Sequence, residues 1–300
     1  MSLYLISILT NITLISFIAL SAYLVLIVGE VSFGQQAFFG VGAYVMAVCE
    51  AIFDLNIVLS FFICASSGTL IAFVLSILTI RLSGLYFAIA SLSFAELFRL
   101  SMLQIRFEVI TENGSVGPDG AEGFGNIRWI FDSGIDVQDF LLIVASVLFL
   151  LVFLIIFLEK GSILKNARLV GKDVILAQSV GIRPYVYRVA IISASGSVAA
   201  VGGGFFALFN TYIEPSMFGV MLGVHSLAYS IIGGLGTPVG PLLGVLIDIG
   251  LLESIRFLSE FRMIIFGGLV ALILWVFPEG LLSPRFIVFI RRKINGKSNF

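Results

Sequence analysis

A hydroxyl-rich and acidic cluster stands inside one apolar stretch of this sequence, where Ser91, Ser93 and Glu96 follow one another within six residues. An ionisable group in an apolar segment is costly unless it is paired, so Glu96 is a candidate for a polar path through the protein. Arg99 stands three residues further on, at the spacing that places two side chains on one helix face. A purely structural Glu96–Arg99 ion pair therefore remains the alternative.

Two adjacent amides, Gln35 and Gln36, occupy a second apolar stretch, GEVSFGQQAFFGVGAY (Gly29 to Tyr44). The stretch is dense in small residues, which let helix backbones approach closely in lipid. Buried amides at such a place have two possible roles. They can hydrogen-bond neighbouring helices, or they can line a route for a polar substrate.

Other reaction chemistry has little support in the sequence. His225 is the only histidine, and a proton relay through it would need partners such as Asp248 or Glu253, so we expect a structural role. Cys49 and Cys64 fall in apolar segments without a CxxC pattern, which predicts buried thiols. No HExxH and no GxxxxGK[ST] occurs, so neither a zinc protease nor an ATPase is indicated, and no cofactor or metal is expected.

The composition is that of a membrane protein. Apolar residues form 59% of the 300 residues, charged residues form 12%, and the mean hydropathy is +1.14. Soluble domains have roughly 45–50% apolar and about 25% charged residues. A net charge of −1 gives no basic field for nucleic acid. The prediction is an all-α, polytopic bundle, because membrane spans must satisfy their backbone hydrogen bonds internally.

The positioning elements are apolar helices. A bilayer core of about 30 Å requires about 20 apolar residues per helix. We therefore predict about 8–10 transmembrane helices, the shortest of them broken or re-entrant, from nine candidate stretches: Leu3–Val28, Val31–Phe53, Ile57–Ile80, Gly84–Leu103, Phe140–Leu158, Val189–Asn210, Gly223–Ile232, Pro241–Ile255 and Met263–Phe277. The whole chain, residues 1–300, is expected to form one transmembrane domain.

Charge sets the expected orientation. Twelve of the 17 Lys and Arg residues lie at Arg81, in the loop 159–188 and in the tail 283–300, whereas the opposite loop 104–139 carries seven acids against two arginines. Basic loops stay in the cytoplasm. The loop 159–188 and the C-terminal tail are therefore predicted to be cytoplasmic, and the loop 104–139 external.

The loop 159–188 contains a helix-prone insert between two apolar spans. Residues 166–180 are predicted to form one amphipathic helix, with Lys165, Arg168 and Lys172 on one face and Val170, Val174 and Ala177 opposite. Gly181 provides the helix C-terminus and Pro184 prevents continuation. Such a helix can lie on anionic lipid or dock into a groove of a soluble partner, and the pattern alone leaves both open.

Six segments, in order along the chain, resemble the branched-chain amino acid permease family of bacterial ABC importers, the second of them resembling the M-type more than the H-type subunit. They are GEVSFGQQAFFGVGAY, RLSGLYFAIASLSFAELFR, ENGSVGPDG, RLVGKDVILAQSVGI, GGLGTPVGPLLG and FPEGLL. Departures from the family pattern are Gln36 for Ala, Gly171 for a basic residue, Val174 for Glu, and His225 where an acid is frequent.

The resemblance implies a permease subunit in the bacterial inner membrane. It implies a second, H-type permease, two cytoplasmic ATPases and a periplasmic or lipid-anchored solute-binding protein, toward which the segment 112–120 would face unless it is a mere connection. Branched-chain or related amino acids are the implied substrates, with urea or short amides as alternatives. A stand-alone secondary transporter or channel is the alternative of another class.

The resemblance also assigns residues. ATPase coupling is carried over to these positions: Arg168, Lys172, Asp173, Ala177, Gln178, Ser179, Gly181 and Ile182. The candidate translocation path comprises Gln35, Gln36, Ser91, Ser93, Glu96 and His225.

Overall fold

Apolar helices dominate the chain, whose computed structural model describes residues 3–111, 114–252, 262–277 and 280–282. The helices are α1 (Leu3–Ile27), α2 (Gln35–Ala51), α3 (Ile57–Leu78), α4 (Leu85–Gln104), α5 (Trp129–Asp132), α6 (Val137–Lys160), α7 (Ser162–Lys172), α8 (Val174–Ser179), α9 (Pro184–Asn210), α10 (Val220–Gly233), α11 (Gly240–Val245) and α12 (Arg262–Val276). Strands β1 (Val109–Thr111) and β2 (Gly114–Val116) form a small antiparallel pair. A π-helical segment, Leu246–Leu252, continues α11.

The predicted polytopic, all-helical membrane bundle is confirmed. Within the described residues, the five helices α1, α3, α4, α6 and α9 are long and apolar enough to cross a membrane. Shorter apolar helices cover Val220–Gly233, Gly240–Gly250 and Met263–Val276. The remaining predicted span corresponds to α2, which has 17 residues and a length of about 26 Å.

Two predicted spans differ in detail from the structure. The span predicted at Val31–Phe53 becomes helical only at Gln35. The preceding residues 28–34 form a turn and irregular backbone that is partly buried. The span predicted at Pro241–Ile255 is a six-residue α-helix followed by the π segment, and residues 253–261 lie outside the described part.

The Gly/Pro-containing segment between α10 and α11 turns the chain back on itself. A Cβ added at Gly233 would overlap Gly240, and one added at Gly244 would overlap the backbone of Tyr229. The two half-helices therefore pack backbone to backbone. Gly280, with φ of +81°, packs against the same turn, and the N–H of Leu281 donates to the carbonyl of Ile232 at 2.9 Å.

The predicted external loop contains more structure than turns alone. Val109 pairs with Val116 across the two strands, and residues 112 and 113 of the predicted turn lie outside the description. Phe124 pairs with Ile213 of the connection between α9 and α10, and the Tyr212 hydroxyl donates to the carbonyl of Glu122 at 2.7 Å. The two connections at this end of the bundle thus hold each other.

Helix α9 is the centre of the bundle, and its glycines explain why. The small residues of its segment Gly196 to Gly204 pack closely: Gly196 abuts Gly68 of α3, and Gly203 abuts the backbone of Phe39 on α2. Small residues at these crossings let the three helices approach to backbone contact.

We expect Gly203→Ala to destabilise the protein by about 1–3 kcal/mol, because the new methyl group would overlap the carbonyl oxygen of Phe39. Thermal unfolding of the purified protein in detergent measures the effect. Gly268→Ala in α12 is the matched control, since nothing lies within 4 Å of the added carbon. Equal melting temperatures for the two variants would contradict this packing.

Candidate functional site

The segment 159–188 is built from two helices, not the single helix predicted for residues 166–180. Asp173 interrupts it with extended backbone, φ −154° and ψ 105°. The Asp173 carboxylate accepts the backbone N–H groups of Ile175 at 2.9 Å and Leu176 at 3.0 Å. Aspartate is a preferred N-cap because it satisfies these otherwise unpaired donors. The prediction of one helix was wrong because a competing helix start lies within the segment.

The predicted end of the segment is confirmed. Gly181 has φ of +82°, and the N–H of Ile182 donates back to the carbonyl of Ala177 at 3.0 Å. This closes α8 with the left-handed residue for which glycine is favoured. Pro184 is the first residue of α9, where its missing N–H costs nothing.

The inner face of α7 and α8 packs tightly on the bundle. Val170 and Ala177 are buried and Val174 is partly buried, as the predicted apolar face requires. Gly171 lies against the turn after α1, where a Cβ would overlap the carbonyl of Ile27 and crowd the backbone of Gly29. This close approach explains why the basic residue frequent in the resembled pattern is replaced by glycine.

The outer face of α8 is apolar, which the sequence pattern did not predict. Ile175 is 79% exposed, Leu176 49% and Val180 61%. These three residues are named the α8 apolar face. The Asp173 cap starts a new helix and turns these side chains outward. In the sequence, the order Asp-Val-Ile-Leu, an N-cap residue followed by apolar residues, could have indicated this second helix start. Ile182, a predicted coupling residue, is partly buried. Five other predicted coupling residues are exposed around this face: Lys172, Asp173, Gln178, Ser179 and Gly181.

Arg168 points into the bundle rather than outward. Its guanidinium forms an ion pair with Glu159 of α6 at 2.5 Å. It also donates to the Tyr23 hydroxyl of α1 and to the carbonyl of Leu235, each at 2.7 Å. Leu235 belongs to the turn between α10 and α11. One side chain therefore ties α7 to three other elements.

A second tie joins the start of α9 to neighbouring turns. Arg188 approaches the buried Glu30 carboxylate at 3.0 Å, and the other Glu30 oxygen accepts the N–H of Gly84 at 3.0 Å. Burial raises the pKa of Glu30 above its ordinary value, while Arg188 and the Gly84 N–H act in the opposite direction. Sequence reasoning missed Glu30, because its partners are remote in the chain.

The candidate path residues do not form one cluster in the structure. Glu96 and Arg99 form the predicted ion pair at 2.9 Å, each partly exposed. Ser93 is exposed on the same helix, whereas the buried Ser91 hydroxyl accepts the N–H of Phe33 at 3.0 Å. His225 lies on α10 beside the rings of Tyr229 and Phe266, with ring-centre distances of 5.9 and 5.1 Å.

The two amides are both fully buried at the start of α2. Gln35 accepts a hydrogen bond from the Ser21 hydroxyl of α1. Gln36 lies against Gly223 of α10. These two candidate path residues therefore contact α1 and α10, respectively. Cys49 and Cys64 are buried free thiols, as predicted.

Comparison with known proteins assigns the family. The profile described as "Branched-chain amino acid transport system / permease component" matches residues 4–274. The chain belongs to this family. No solved protein structure gives a significant match to it.

Individual relatives agree with this permease assignment. The high-affinity branched-chain amino acid transport system permease protein LivM of Salmonella typhimurium is 26% identical over 275 residues, 85% of this chain and 64% of that protein. LivM of Escherichia coli matches at the same identity and coverage. LivH of Salmonella typhimurium is 26% identical over 166 residues, 53% of each chain. The chain thus spans 64% of the length of the LivM relatives.

Proposed function

We propose that this permease is a subunit of an ATP-driven importer in the bacterial inner membrane and carries branched-chain or related amino acids. The proposal places the loop 159–188 and the tail 283–300 in the cytoplasm and the loop 104–139 outside. Residues 1–300 act as one transmembrane domain. Family membership and two relatives named as branched-chain amino acid permeases support the substrate class.

The α8 apolar face carries the proposal. Three adjacent, exposed apolar side chains on a capped helix, at the basic end of the bundle, suit a groove in a soluble partner. Membrane-surface binding suits the segment less well. The exposed apolar surface of α8 itself consists of the three side chains of the α8 apolar face, and the Asp173 carboxylate at the same end would be repelled by anionic lipid.

Family membership and this face support the proposed partners. The chain carries no nucleotide-binding motif, so hydrolysis belongs to two cytoplasmic ATPases, one of which receives α8. A second permease completes the membrane unit, and a periplasmic or lipid-anchored binding protein delivers the solute to the external loops. Gln35, Gln36, Ser91, Ser93, Glu96 and His225 remain the proposed path residues.

Coupling is proposed to run through the two ties described above. Closure of the ATPases displaces α8, and α7 moves with it because only Asp173 separates the two helices. Arg168 transmits this movement to α6, α1 and the turn after α10. Arg188 carries the movement of α9 to Glu30 and Gly84. The ATPase supplies the energy that shifts the two-state equilibrium.

Reconstitution tests the proposed function. Proteoliposomes containing both permeases and the ATPases, supplied with labelled leucine on the binding protein, should accumulate leucine only with ATP. An ATPase variant that binds but cannot hydrolyse ATP is the control, and uptake should fall to the leak of empty vesicles. Equal uptake without ATP hydrolysis would instead support a stand-alone transporter or channel.

A further inference from the structure

Helix α2 begins deep inside the bundle rather than at its surface. The Ser21 hydroxyl lies within hydrogen-bond distance of two acceptors, the Gln35 Oε1 and, at 2.7 Å, the carbonyl of Ser195, which share its single hydrogen. Ser21 lies six residues before the end of α1 and Ser195 eleven residues after the start of α9. At 1.5 Å per residue these are depths of about 9 and about 16 Å from the respective helix ends. The first turn of α2 is therefore within the membrane-spanning part.

This helix N-terminus has no side-chain cap. Gly34 is the N-cap residue, and only its carbonyl takes part, accepting the N–H groups of Ala37 at 3.0 Å and Phe38 at 3.4 Å. The first-turn N–H groups of Gln35 and Gln36 have no acceptor within the helix. Aligned peptide dipoles give this end a partial positive charge, so it favours an anion.

The Gln36 amide is a second, independent sign of a ligand. It is fully buried, and neither its Nε2 nor its Oε1 has a hydrogen-bond partner among the described residues. The Nε2 of Gln35 is likewise unbonded there. A buried amide without partners is unfavourable, and a second state in which a ligand bonds the amide would offset this cost.

Helix α10 covers this amide in the present conformation. A Cβ added at Gly223 would overlap the Gln36 Oε1, so the glycine leaves only enough room for the side chain. The turn that follows α10 is bonded by Arg168 through Leu235. Displacement of α7 can therefore draw α10 away from Gln36.

We propose that the N-terminus of α2 and the Gln36 amide bind the carboxylate of a free amino acid when α10 moves away. This rests on the proposed function and names a contact for its substrate. The N–H groups of the first turn and the Gln36 Nε2 donate to the carboxylate, and the Gln36 Oε1 accepts from the substrate ammonium. A neutral amide such as urea lacks the charge that this helix end favours.

Gln36→Met separates a binding role from a packing role. Methionine has a similar length without the unsatisfied amide, so the melting temperature should stay unchanged or rise. Uptake at a saturating concentration of loaded binding protein should fall by about tenfold to a hundredfold. This is the factor expected for the loss of one hydrogen bond to a charged group. Wild-type uptake in this variant, or a parallel loss of stability and uptake, would overturn the proposal.

Gln36→Glu decides between a carboxylate and a neutral amide as the ligand. A glutamate at this position repels a substrate carboxylate, so uptake should fall below that of Gln36→Met. A neutral amide could donate to the glutamate, and uptake of Gln36→Glu equal to or above that of Gln36→Met would refute the carboxylate assignment.

The two proposals fail separately. Full uptake by Gln36→Met that still depends on ATP hydrolysis would refute only the proposed carboxylate site. ATP-independent uptake by the unaltered complex would remove the proposed function itself.

Discussion

Replacing both Ile175 and Leu176 by aspartate is expected to abolish ATP-driven uptake without unfolding the permease. Both side chains are exposed, so their replacement leaves the bundle intact. Burying each in a partner groove contributes about 1.5–3 kcal/mol, which the double variant loses. Two carboxylates would also be desolvated without partners. The ATPase affinity should therefore fall by roughly a hundredfold or more.

Co-purification of the ATPases with the tagged permease measures the loss, together with uptake in proteoliposomes. Phe131→Asp, at an exposed apolar residue of α5 in the loop proposed to be external, is the matched control and should leave ATPase binding unchanged. Normal ATPase recovery and uptake in the Ile175→Asp, Leu176→Asp variant would rule out α8 as the docking element.

Arg168→Gln is expected to uncouple ATP hydrolysis from uptake while the ATPases stay bound. Glutamine cannot reach Glu159, Tyr23 and Leu235 together, so α7 would move without drawing the other elements along. Each lost hydrogen bond involving the charge contributes about 1.5–3 kcal/mol. Uptake per ATP hydrolysed should fall by about tenfold or more. A role in docking would instead lower ATPase recovery.

The ratio of leucine uptake to ATP hydrolysis in one preparation is the decisive readout. Lys165→Gln is the control, since Lys165 lies exposed on the same helix, and its ratio should match that of the wild type. If Arg168 and Glu159 act as one tie, the double variant with Glu159→Gln should be no worse than Arg168→Gln alone. An unchanged ratio in Arg168→Gln would show that this tie transmits nothing.

Local patterns in the sequence were sufficient for part of the site. Gly181 as a helix end and the Glu96–Arg99 pair were predictable, because each depends on residues a few positions apart. The inward packing of Val170 and Ala177 was equally readable from helical periodicity. The break at Asp173 was not foreseen, since its neighbours also favour one continuous helix and only the cap geometry decides between the two.

Contacts between remote segments could not be predicted from one sequence. Gln36 and Gly223 are 187 positions apart in the numbering, and Arg168 and Leu235 are 67 apart. The family resemblance assigned Arg168 to ATPase coupling, and helical periodicity placed it on the basic face of the predicted helix. The structure places it inward, where Glu159 and the Tyr23 hydroxyl stabilise the charge.

Cross-linking from α8 tests the docking of this helix most directly. The native cysteines Cys49 and Cys64 are buried, so Ile175→Cys introduces an accessible thiol for a short thiol-to-amine cross-linker. The assembled importer should yield a permease–ATPase adduct from position 175, and Phe131→Cys at the external end should yield none. The docking of α8 into the ATPase would be contradicted if a complex that still transports gave no adduct from position 175. It would also be contradicted if position 131 gave the adduct equally well.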